Sequence, residues 1–517
     1  MEKQKSGWIY GLTSILACFL ILLPLLWYGF GADQGFNFYC AWAWRKFGLV
    51  PYRDIFEQNF PGLFLISYFI QAALGESVTA FRIFDLTWQT ATAAMIYLVA
   101  ASIFKNRLAG FLGSVFYCIY YLNLGPWHTG ERDDLFLLIY LLTFRLLMRR
   151  REGRDPAYSA LAGLLIGFAF LIKPVAGAAA LVFLALAIKT ARSKFRSGLA
   201  FIAGCSAPAL AIIFYYWHLG ALKDLYLSLF YFTGKIYLDY KLVDPLKLIG
   251  GILMISYLGS NALILLGSAL LIPLRKRMPE EKKNYLFWLL LILIASYIGY
   301  LSQAKYGYYF FYHEAPVWGV LCVTAGGGWS LLIDFANQMW GSFRKTKTAL
   351  FSAILILLSI LMMWRDYRHF IGEALQFPPE KAQNMYPCQR IYQEAARYIR
   401  IRSTPEDKLQ IWGGEPVINY FARRRAPSRF PSTLHLIPFL PGPESLSPVQ
   451  KELGDEFLDT IIKDPPLYFI VNSTPYFYNP DIMQALIEDY PELWEFITSN
   501  YSHAATVDSF EIYLLNK

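Results

Sequence analysis

Acidic residues stand in the polar segments between long apolar segments of this 517-residue chain. The first of them, Asp33, follows apolar residues 8–30, a stretch long enough to cross a bilayer, which takes about 20 residues. A carboxylate can act as a general base toward a hydroxyl group or bind a divalent metal ion. Carboxylates at a membrane surface, between aromatic and apolar stretches, therefore indicate chemistry at the edge of the lipid. The competing interpretation is that Asp33 caps a helix over residues 36–47.

A second acidic group surrounds Arg132 and consists of Glu131, Asp133 and Asp134. These acids could be N-terminal charges favoured by a helix dipole, but three of them beside one arginine exceed that need. We therefore expect them to be catalytic together with Asp33, and the sequence does not choose among the three. His128 could join them around a metal ion, but its spacing is not diagnostic, so a divalent metal is left open.

Basic and aromatic residues occupy the same polar segments, where Lys and Arg suit a phosphate and aromatic rings suit a sugar or an isoprenoid chain. The candidate phosphate-binding residues are Arg53, Arg132, Lys173, Lys305 and His313, and the candidate acceptor- or sugar-binding residues are Asp54, Glu57 and Tyr309. Structural alternatives exist for several of them. Arg53 and Asp54 could form a local ion pair in a turn, Lys173 could extend toward the membrane surface, and Lys305 and His313 could belong to an aromatic belt.

The composition is that of a membrane protein, with 56% hydrophobic and 17% aromatic residues and a mean hydropathy of +0.36. The net charge of +9 does not indicate nucleic-acid binding, because the basic residues lie in short loops where they set membrane topology. The six cysteines fall mostly inside apolar segments without metal-binding spacing, so we interpret them as small buried hydrophobic residues. We interpret the triple glycine at residues 326–328 as a helix-packing face.

The basic clusters predict a polytopic helical protein with about eleven transmembrane helices and a cytoplasmic N-terminus. This count returns every basic cluster to the cytoplasm and places the acidic segments outside. Residues 60–74, which are short and follow Pro61, are expected to form an interfacial or re-entrant helix in the first outer loop. The candidate spans are residues 8–30, 80–104, 108–124, 134–148, 157–173, 175–190, 197–218, 248–273, 284–302, 315–335 and 348–364.

Residues 365–517 change character, with many charges and no long apolar run. Strand-like stretches occur at residues 408–412 and 467–471. We therefore predict a membrane domain over residues 1–364 and a small extracytoplasmic α/β domain over residues 365–517.

The order of several motifs resembles the GT-C superfamily of integral-membrane glycosyltransferases, and most closely the glycosyltransferase family 39 type. That type includes protein O-mannosyltransferases and lipid A aminoarabinose transferases. The motifs are Asp33 after the first span, Gly48-Leu49-Val50-Pro51-Tyr52-Arg53-Asp54, Asn59-Phe60-Pro61-Gly62, Glu131-Arg132-Asp133-Asp134-Leu135, the Lys305/Tyr309/His313 spacing, Trp412-Gly413-Gly414-Glu415-Pro416 and Asp464-Pro465-Pro466-Leu467-Tyr468. Gln34 stands where the family usually has Glu, and Phe60 where it has Pro.

The resemblance implies an inverting transfer of a sugar from a polyprenyl-phosphate donor to a glycan, lipid or protein acceptor on the outer side of a bacterial or archaeal cytoplasmic membrane. It assigns the catalytic carboxylate to Asp33 and a second acidic position to Glu131, Asp133 or Asp134. Two alternatives from other classes are a transporter or flippase for a lipid-linked precursor and a non-catalytic sensor or scaffold. A transporter predicts charges buried near the middle of spans and paired broken helices.

Overall fold

The computed structural model describes residues 2–31, 33–148, 154–236, 258–303, 311–339, 344–374, 381, 387–438, 445–473 and 482–516. The chain forms two compact units, each assembled from separate stretches of sequence. The first comprises Met1–Gly31, Phe81–Ile212 and Leu242–Ala382, and the second comprises Ala32–Ala80, Ile213–Lys241 and Gln383–Lys517.

Apolar helices make up most of the first unit, and each predicted span coincides with a helix. These helices are Glu2–Leu22, Val78–Phe104, Arg107–Asn123, Phe136–Met148, Asp155–Ile172, Gly177–Lys189, Lys194–His218, Leu258–Leu274, Glu280–Gln303, Ala315–Met339 and Arg344–Ala374. Two of them, Val78–Phe104 and Lys194–His218, continue into the second unit. Residues 248–257 of the predicted eighth span lie outside the described residues.

Six helical segments among the described residues are long and apolar enough to cross a membrane. They are Tyr10–Trp27, Val78–Phe104, Asp155–Ile172, Lys194–His218, Lys282–Gln303 and Tyr312–Met339, and shorter apolar helices include Pro174–Lys189 and Thr346–Leu361. The predicted class, a polytopic helical membrane protein with a small C-terminal α/β portion, is confirmed. The number of crossings and the side of the membrane on which each end lies stay predictions.

Helix Ala315–Met339 packs closely because it carries the triple glycine. A Cβ on Gly326 would stand 2.2 Å from the carbonyl oxygen of Ala109, and one on Gly328 would stand 1.8 Å from that of Gly267. Only glycine permits backbones to approach this closely, a device common between membrane helices. The prediction that this run is a packing face is confirmed.

The second unit contains a four-stranded sheet in the order β1-β2-β4-β3. Strands β1 (Leu409–Trp412) and β2 (Tyr468–Asn472) are parallel, whereas β4 (Phe510–Leu515) pairs antiparallel with both β2 and β3 (Tyr501–Val507). Every residue of β1 and β2 is buried, and all of them are apolar or aromatic except Gln410 and Asn472. Both predicted strand regions are confirmed. The longer helices of this C-terminal portion are Pro387–Arg400, Pro448–Lys463, Ile482–Asp489 and Pro491–Asn500.

The segment after the first apolar helix also belongs to the second unit, where it packs against the C-terminal portion. It contributes helices Gln34–Phe47 and Gly62–Leu74. The backbone amide of Phe56 donates a 2.6 Å hydrogen bond to the carbonyl oxygen of Arg429. The Phe56 ring lies 5.4 Å from that of Phe430 and 5.2 Å from that of His435. The compact unit thus contains more of the chain than the predicted domain 365–517.

The predicted domain boundary after residue 364 stays a prediction. Helix Arg344–Ala374 continues across this position without interruption.

Glu415 is a buried acid just beyond the carboxyl end of β1. Its side chain is 5% exposed, and its Oε1 accepts a 2.9 Å hydrogen bond from Asn472 Nδ2. Burial raises the pKa of Glu415 to about 7, because the charged form loses its hydration. Folding therefore favours the protonated carboxyl, and between pH 4.5 and 7 the folded unit binds a proton that the unfolded chain has released.

We predict that Glu415→Gln stabilises the second unit at pH 8 by up to about 3 kcal/mol and has little effect at pH 4.5. The sign follows because a raised acid pKa lowers stability as pH rises toward it. Hydrogen exchange of β1 and β2 in the full-length protein in detergent, corrected for intrinsic rates, measures the difference. The exposed Glu452→Gln is the control and should match wild type at both pH values. Equal pH dependence in wild type and Glu415→Gln would contradict the assignment.

Candidate active site

The three acids around Arg132 are brought together at the start of helix Phe136–Met148 in the first unit. Glu131, Asp133 and Asp134 are 0%, 1% and 1% exposed, so they are not solvated surface charges. Glu131 is the N-cap of a short 3-10 helix, Arg132–Leu135, and the Glu131 amide donates a 2.9 Å hydrogen bond to Asp134 Oδ2. The reciprocal bond to the Glu131 side chain completes a capping box. Two of the acids thus shape the turn that presents Asp133.

Asp133 forms an ion pair with Lys173, which lies 40 residues later in the chain. Lys173 Nζ lies 2.7 Å from Asp133 Oδ2, and Gln303 Nε2 donates a 3.1 Å hydrogen bond to Asp133 Oδ1. Lys173 is held in extended backbone, φ −162° and ψ 130°, between helix Asp155–Ile172 and the short helix Pro174–Ala176. Pro174 explains this break, since the residue before a proline disfavours the helical conformation.

His313 and Tyr312 also lie near Lys173, and His128 lies near Tyr312. His313 Nε2 lies 3.4 Å from Lys173 Nζ, and the Tyr312 ring centroid lies 5.7 Å from the same atom. The His128 ring lies 5.9 Å from the Tyr312 ring. Burial lowers the pKa of His128 to about 4, so this imidazole is neutral at pH 7. The contacts of Lys173 thus include the Asp133 carboxylate, the Tyr312 ring and the His313 imidazole.

The predicted site residues of the first outer segment lie in the second unit. Asp33 is half-buried at the N-cap position of helix Gln34–Phe47, yet its side chain does not cap that helix. Arg53 Nη2 lies 2.7 Å from Asp54 Oδ2, which also accepts a 2.8 Å hydrogen bond from the Val50 amide. The local turn and ion pair considered for Arg53 and Asp54 are therefore present.

Glu57 also has a structural task. It is 3% exposed, and its Oε1 accepts hydrogen bonds from the amides of Gln58 and Asn59 and from Asn59 Nδ2. This carboxylate holds the chain that leads into helix Gly62–Leu74. Its predicted role in acceptor binding stays a prediction.

The structure therefore gathers Glu131, Arg132, Asp133, Asp134, Lys173 and His313 in the first unit, and places Asp33, Arg53, Asp54 and Glu57 in the second. Lys305 and Tyr309 lie outside the described residues. Among the residues that are described, no group of three or more His, Cys, Asp or Glu side chains has the arrangement of a metal site.

Sequence reasoning missed a buried charge pair that adjoins the acids. Arg82 and Asp85 are both fully buried, and Arg82 Nη1 lies 3.0 Å from Asp85 Oδ2. Gln303 was also missed as a partner of Asp133, as was Glu314, which accepts hydrogen bonds from Tyr300 and Trp318. A signal was available for Arg82 and Asp85, because charged residues inside an apolar span are costly and usually functional.

Comparison with known proteins adds a sequence match and a fold match. Residues 61–217 match the family model described as dolichyl-phosphate-mannose-protein mannosyltransferase. A sequence comparison with curated proteins gives no significant match.

The fold match extends over nearly the whole chain. The crystal structure of ArnT from Cupriavidus metallidurans bound to undecaprenyl phosphate is similar with a TM-score of 0.59 at 11% identity, covering 98% of both chains. The apo form of that protein gives 0.58 at 11% identity, covering 99% of this chain and 98% of that one. The Archaeoglobus fulgidus oligosaccharyltransferase tethered to an acceptor peptide gives 0.53 at 13% identity, covering 98% of this chain and 74% of that one.

Residues 61–217 thus resemble the dolichyl-phosphate-mannose-protein mannosyltransferase family, and the chain shares the fold of ArnT and of the oligosaccharyltransferase. The resemblance to the GT-C superfamily and its family 39 type, predicted from the order of the motifs, agrees with both matches. The segment that matches the family model contains the three buried acids and Lys173, so sequence and structure point to the same stretch. The roles of individual residues stay predictions.

We predict that Lys173→Met destabilises the first unit by about 3 kcal/mol, because it leaves the Asp133 carboxylate buried without its cation. The double variant Lys173→Met/Asp133→Asn should recover part of this loss. Thermal unfolding of the full-length protein in one detergent measures both changes. Lys283→Met, which removes a cation paired with the 86% exposed Glu280, is the control and should change little. A double variant less stable than either single variant would contradict the pairing.

Proposed function

We propose that this protein transfers a sugar from a polyprenyl-phosphate-linked donor to a hydroxyl group of a lipid, glycan or protein acceptor on the extracytoplasmic face of the membrane. The observation that carries the proposal is the buried pair of Lys173 and Asp133 within the segment that matches the mannosyltransferase family model. The likeness to a structure bound to undecaprenyl phosphate supports a donor of the same chemical class.

The reaction needs a group that takes the acceptor proton and a group that stabilises negative charge on the leaving phosphate. The acceptor oxygen attacks the anomeric carbon, the bond from that carbon to the phosphate oxygen breaks, and the lipid phosphate leaves with the electron pair. The acceptor proton passes to a carboxylate. A cation beside the leaving phosphate stabilises the negative charge that accumulates there, in surroundings of low dielectric constant.

Lys173 is suited to contact the phosphate. Its side chain is 13% exposed, whereas Asp133 is 1% exposed, so a ligand can reach the ammonium group of Lys173 while the carboxylate of Asp133 holds it from behind. Asp133 Oδ2 and His313 Nε2 lie 2.7 and 3.4 Å from the Lys173 ammonium nitrogen. Arg132, which is half-buried and adjacent to Asp133 in sequence, supplies a second cation. His313 and Lys305 are assigned to the same phosphate.

Asp33 is the proposed base toward the acceptor hydroxyl. Because its side chain does not cap the following helix, the competing structural interpretation does not account for it. In this scheme Asp133 holds the Lys173 cation, and Glu131 and Asp134 hold the turn that carries Asp133. Asp54, Glu57 and Tyr309 are proposed contacts of the acceptor or the sugar. A divalent metal is not required by this scheme, since a polyprenyl phosphate is already a good leaving group.

The transporter or flippase alternative predicts charges near the middle of spans. Arg82 and Asp85 are buried, but they lie in the first third of the 27-residue helix Val78–Phe104 and connect to the acidic turn. Their position gives no support to a transport pathway through the helix bundle.

We predict that Asp33→Asn lowers sugar transfer by about 10²- to 10⁴-fold, as loss of a general base does. Lys173→Gln should lower it by about 10²- to 10³-fold, as loss of a charge-stabilising group does. The assay follows radiolabelled sugar from a set of polyprenyl-phosphate donors in membranes that contain the full-length protein. The exposed Asp459→Asn and Lys189→Gln are the controls and should keep wild-type activity.

The outcomes separate the parts of the proposal. Full activity of Asp33→Asn would remove the base assignment and shift it to Glu131, Asp133 or Asp134. Full activity of Lys173→Gln would remove the phosphate assignment. A wild-type protein that transfers no sugar from any donor, but moves a lipid-linked precursor across sealed vesicles, would overturn the proposed function in favour of transport.

A further inference from the structure

Arg82 connects three separate parts of the first unit from a fully buried position. Its guanidinium donates hydrogen bonds to the carbonyl oxygens of Gly29, Pro126 and Thr129, and also to the Thr129 hydroxyl at 3.0 Å. Pro126 and Thr129 lie in the short segment that leads from helix Arg107–Asn123 into the acidic turn. Arg82 therefore binds the backbone just before Glu131.

Tyr121 makes the second connection to the same segment. Its hydroxyl donates a 2.7 Å hydrogen bond to Asp85 Oδ1 and accepts a 2.6 Å hydrogen bond from the Gly130 amide. The Tyr121 oxygen also lies 3.5 Å from Asp134 Oδ2. Gly130 has φ 78°, a left-handed conformation that glycine adopts without strain, so the chain reverses here directly before the acids. Asp85 links the two connections, because its carboxylate contacts both Arg82 and Tyr121.

Stability alone does not explain this arrangement. A buried ion pair is often no more stabilising than apolar side chains of the same volume, because desolvation cancels much of the attraction. Such a pair instead fixes the positions of its partners, since they must stay within hydrogen-bonding distance. Here the groups held in place are the carbonyl oxygens of Pro126 and Thr129 and the amide of Gly130, which lead into the acidic turn.

We infer that Arg82, Asp85 and Tyr121 are positioning residues for sugar transfer, which hold residues 126–134 so that Asp133 is presented to Lys173. This inference rests on the proposed function and extends it to residues that contact residues 126–134. A shift of about 1 Å in a reacting group can lower a rate by about 10²-fold, so a loosened turn has a kinetic consequence.

Tyr117 supplies a matched control. It lies one helical turn before Tyr121, is also buried, and its ring is stacked on that of Tyr121 at 6.1 Å. Its hydroxyl donates a 2.6 Å hydrogen bond to Gln89 Oε1, and Gln89 Nε2 donates a 3.2 Å hydrogen bond to Asp85 Oδ1. The Tyr117 hydroxyl thus reaches Asp85 only through Gln89, and no described contact of this hydroxyl reaches residues 126–134. Tyr117→Phe and Tyr121→Phe therefore each remove one buried hydroxyl from the same helix, but only the second removes a group that binds the acidic turn.

The experiment compares the two variants in the full-length protein by sugar transfer and by hydrogen exchange of residues 122–135. We expect Tyr121→Phe to lower kcat by about 10- to 100-fold with KM for the donor changed less than about threefold, and to speed exchange in this segment. Tyr117→Phe should keep wild-type kcat and exchange. In an Asp133→Asn background, Tyr121→Phe should cause little further loss, because the two changes act through one group.

Each result bears on a different statement. Equal kcat and equal exchange in the two variants would overturn the inference, as would faster exchange in Tyr121→Phe without loss of kcat. Independent, multiplicative losses in the Asp133→Asn background would show that Tyr121 does not act through Asp133 and would also overturn it. A wild-type protein inactive with every donor would overturn the proposed function and with it the kinetic role, and unchanged exchange in Tyr121→Phe would overturn the structural part as well.

Discussion

The structure of the first unit depends on one constraint, that a charge removed from water must find a partner. Asp133 is almost completely buried, and it is paired with Lys173 at 2.7 Å. The two residues are 40 positions apart, so the pair connects the start of one apolar helix to the break between two others. Arg82 and Asp85, the buried ion pair that adjoins the acids, obey the same constraint. Both pairs follow from the cost of burying a charge without a counter-charge.

The second unit is held together by contacts of several kinds. Phe56 packs against Phe430 and His435, and the Tyr39 hydroxyl accepts a hydrogen bond from the Ala426 amide. Arg423 and Glu76 form an ion pair at 3.1 Å. The conformation of the polar segment that carries Asp33, Arg53 and Asp54 is thus coupled to the C-terminal portion more than 340 residues later. A change in the conformation of either part therefore alters the other through these contacts.

Local interpretations succeeded where the controlling interaction is itself local. The helices coincide with the predicted spans because an apolar run of this length can satisfy its backbone in a membrane only as a helix. The strands at residues 409–412 and 468–472 follow from short β-rich runs. The ion pair of Arg53 and Asp54 follows from their adjacency. For Glu57, the sequence does not reveal that three nearby N–H groups occupy one of its oxygens.

The sequence by itself determined the class of protein, the positions of the helices and the stretch of acids around Arg132, because apolar length and charge placement are properties of the chain. Only the tertiary structure decided that Lys173 pairs with Asp133, that Arg82 and Tyr121 bind the turn before the acids, and that the first polar segment packs with residues 423–435, which follow β1. The physical reason is that a partner is selected by distance in the folded protein, and helix packing brings together residues whose separation along the chain carries no trace of that contact.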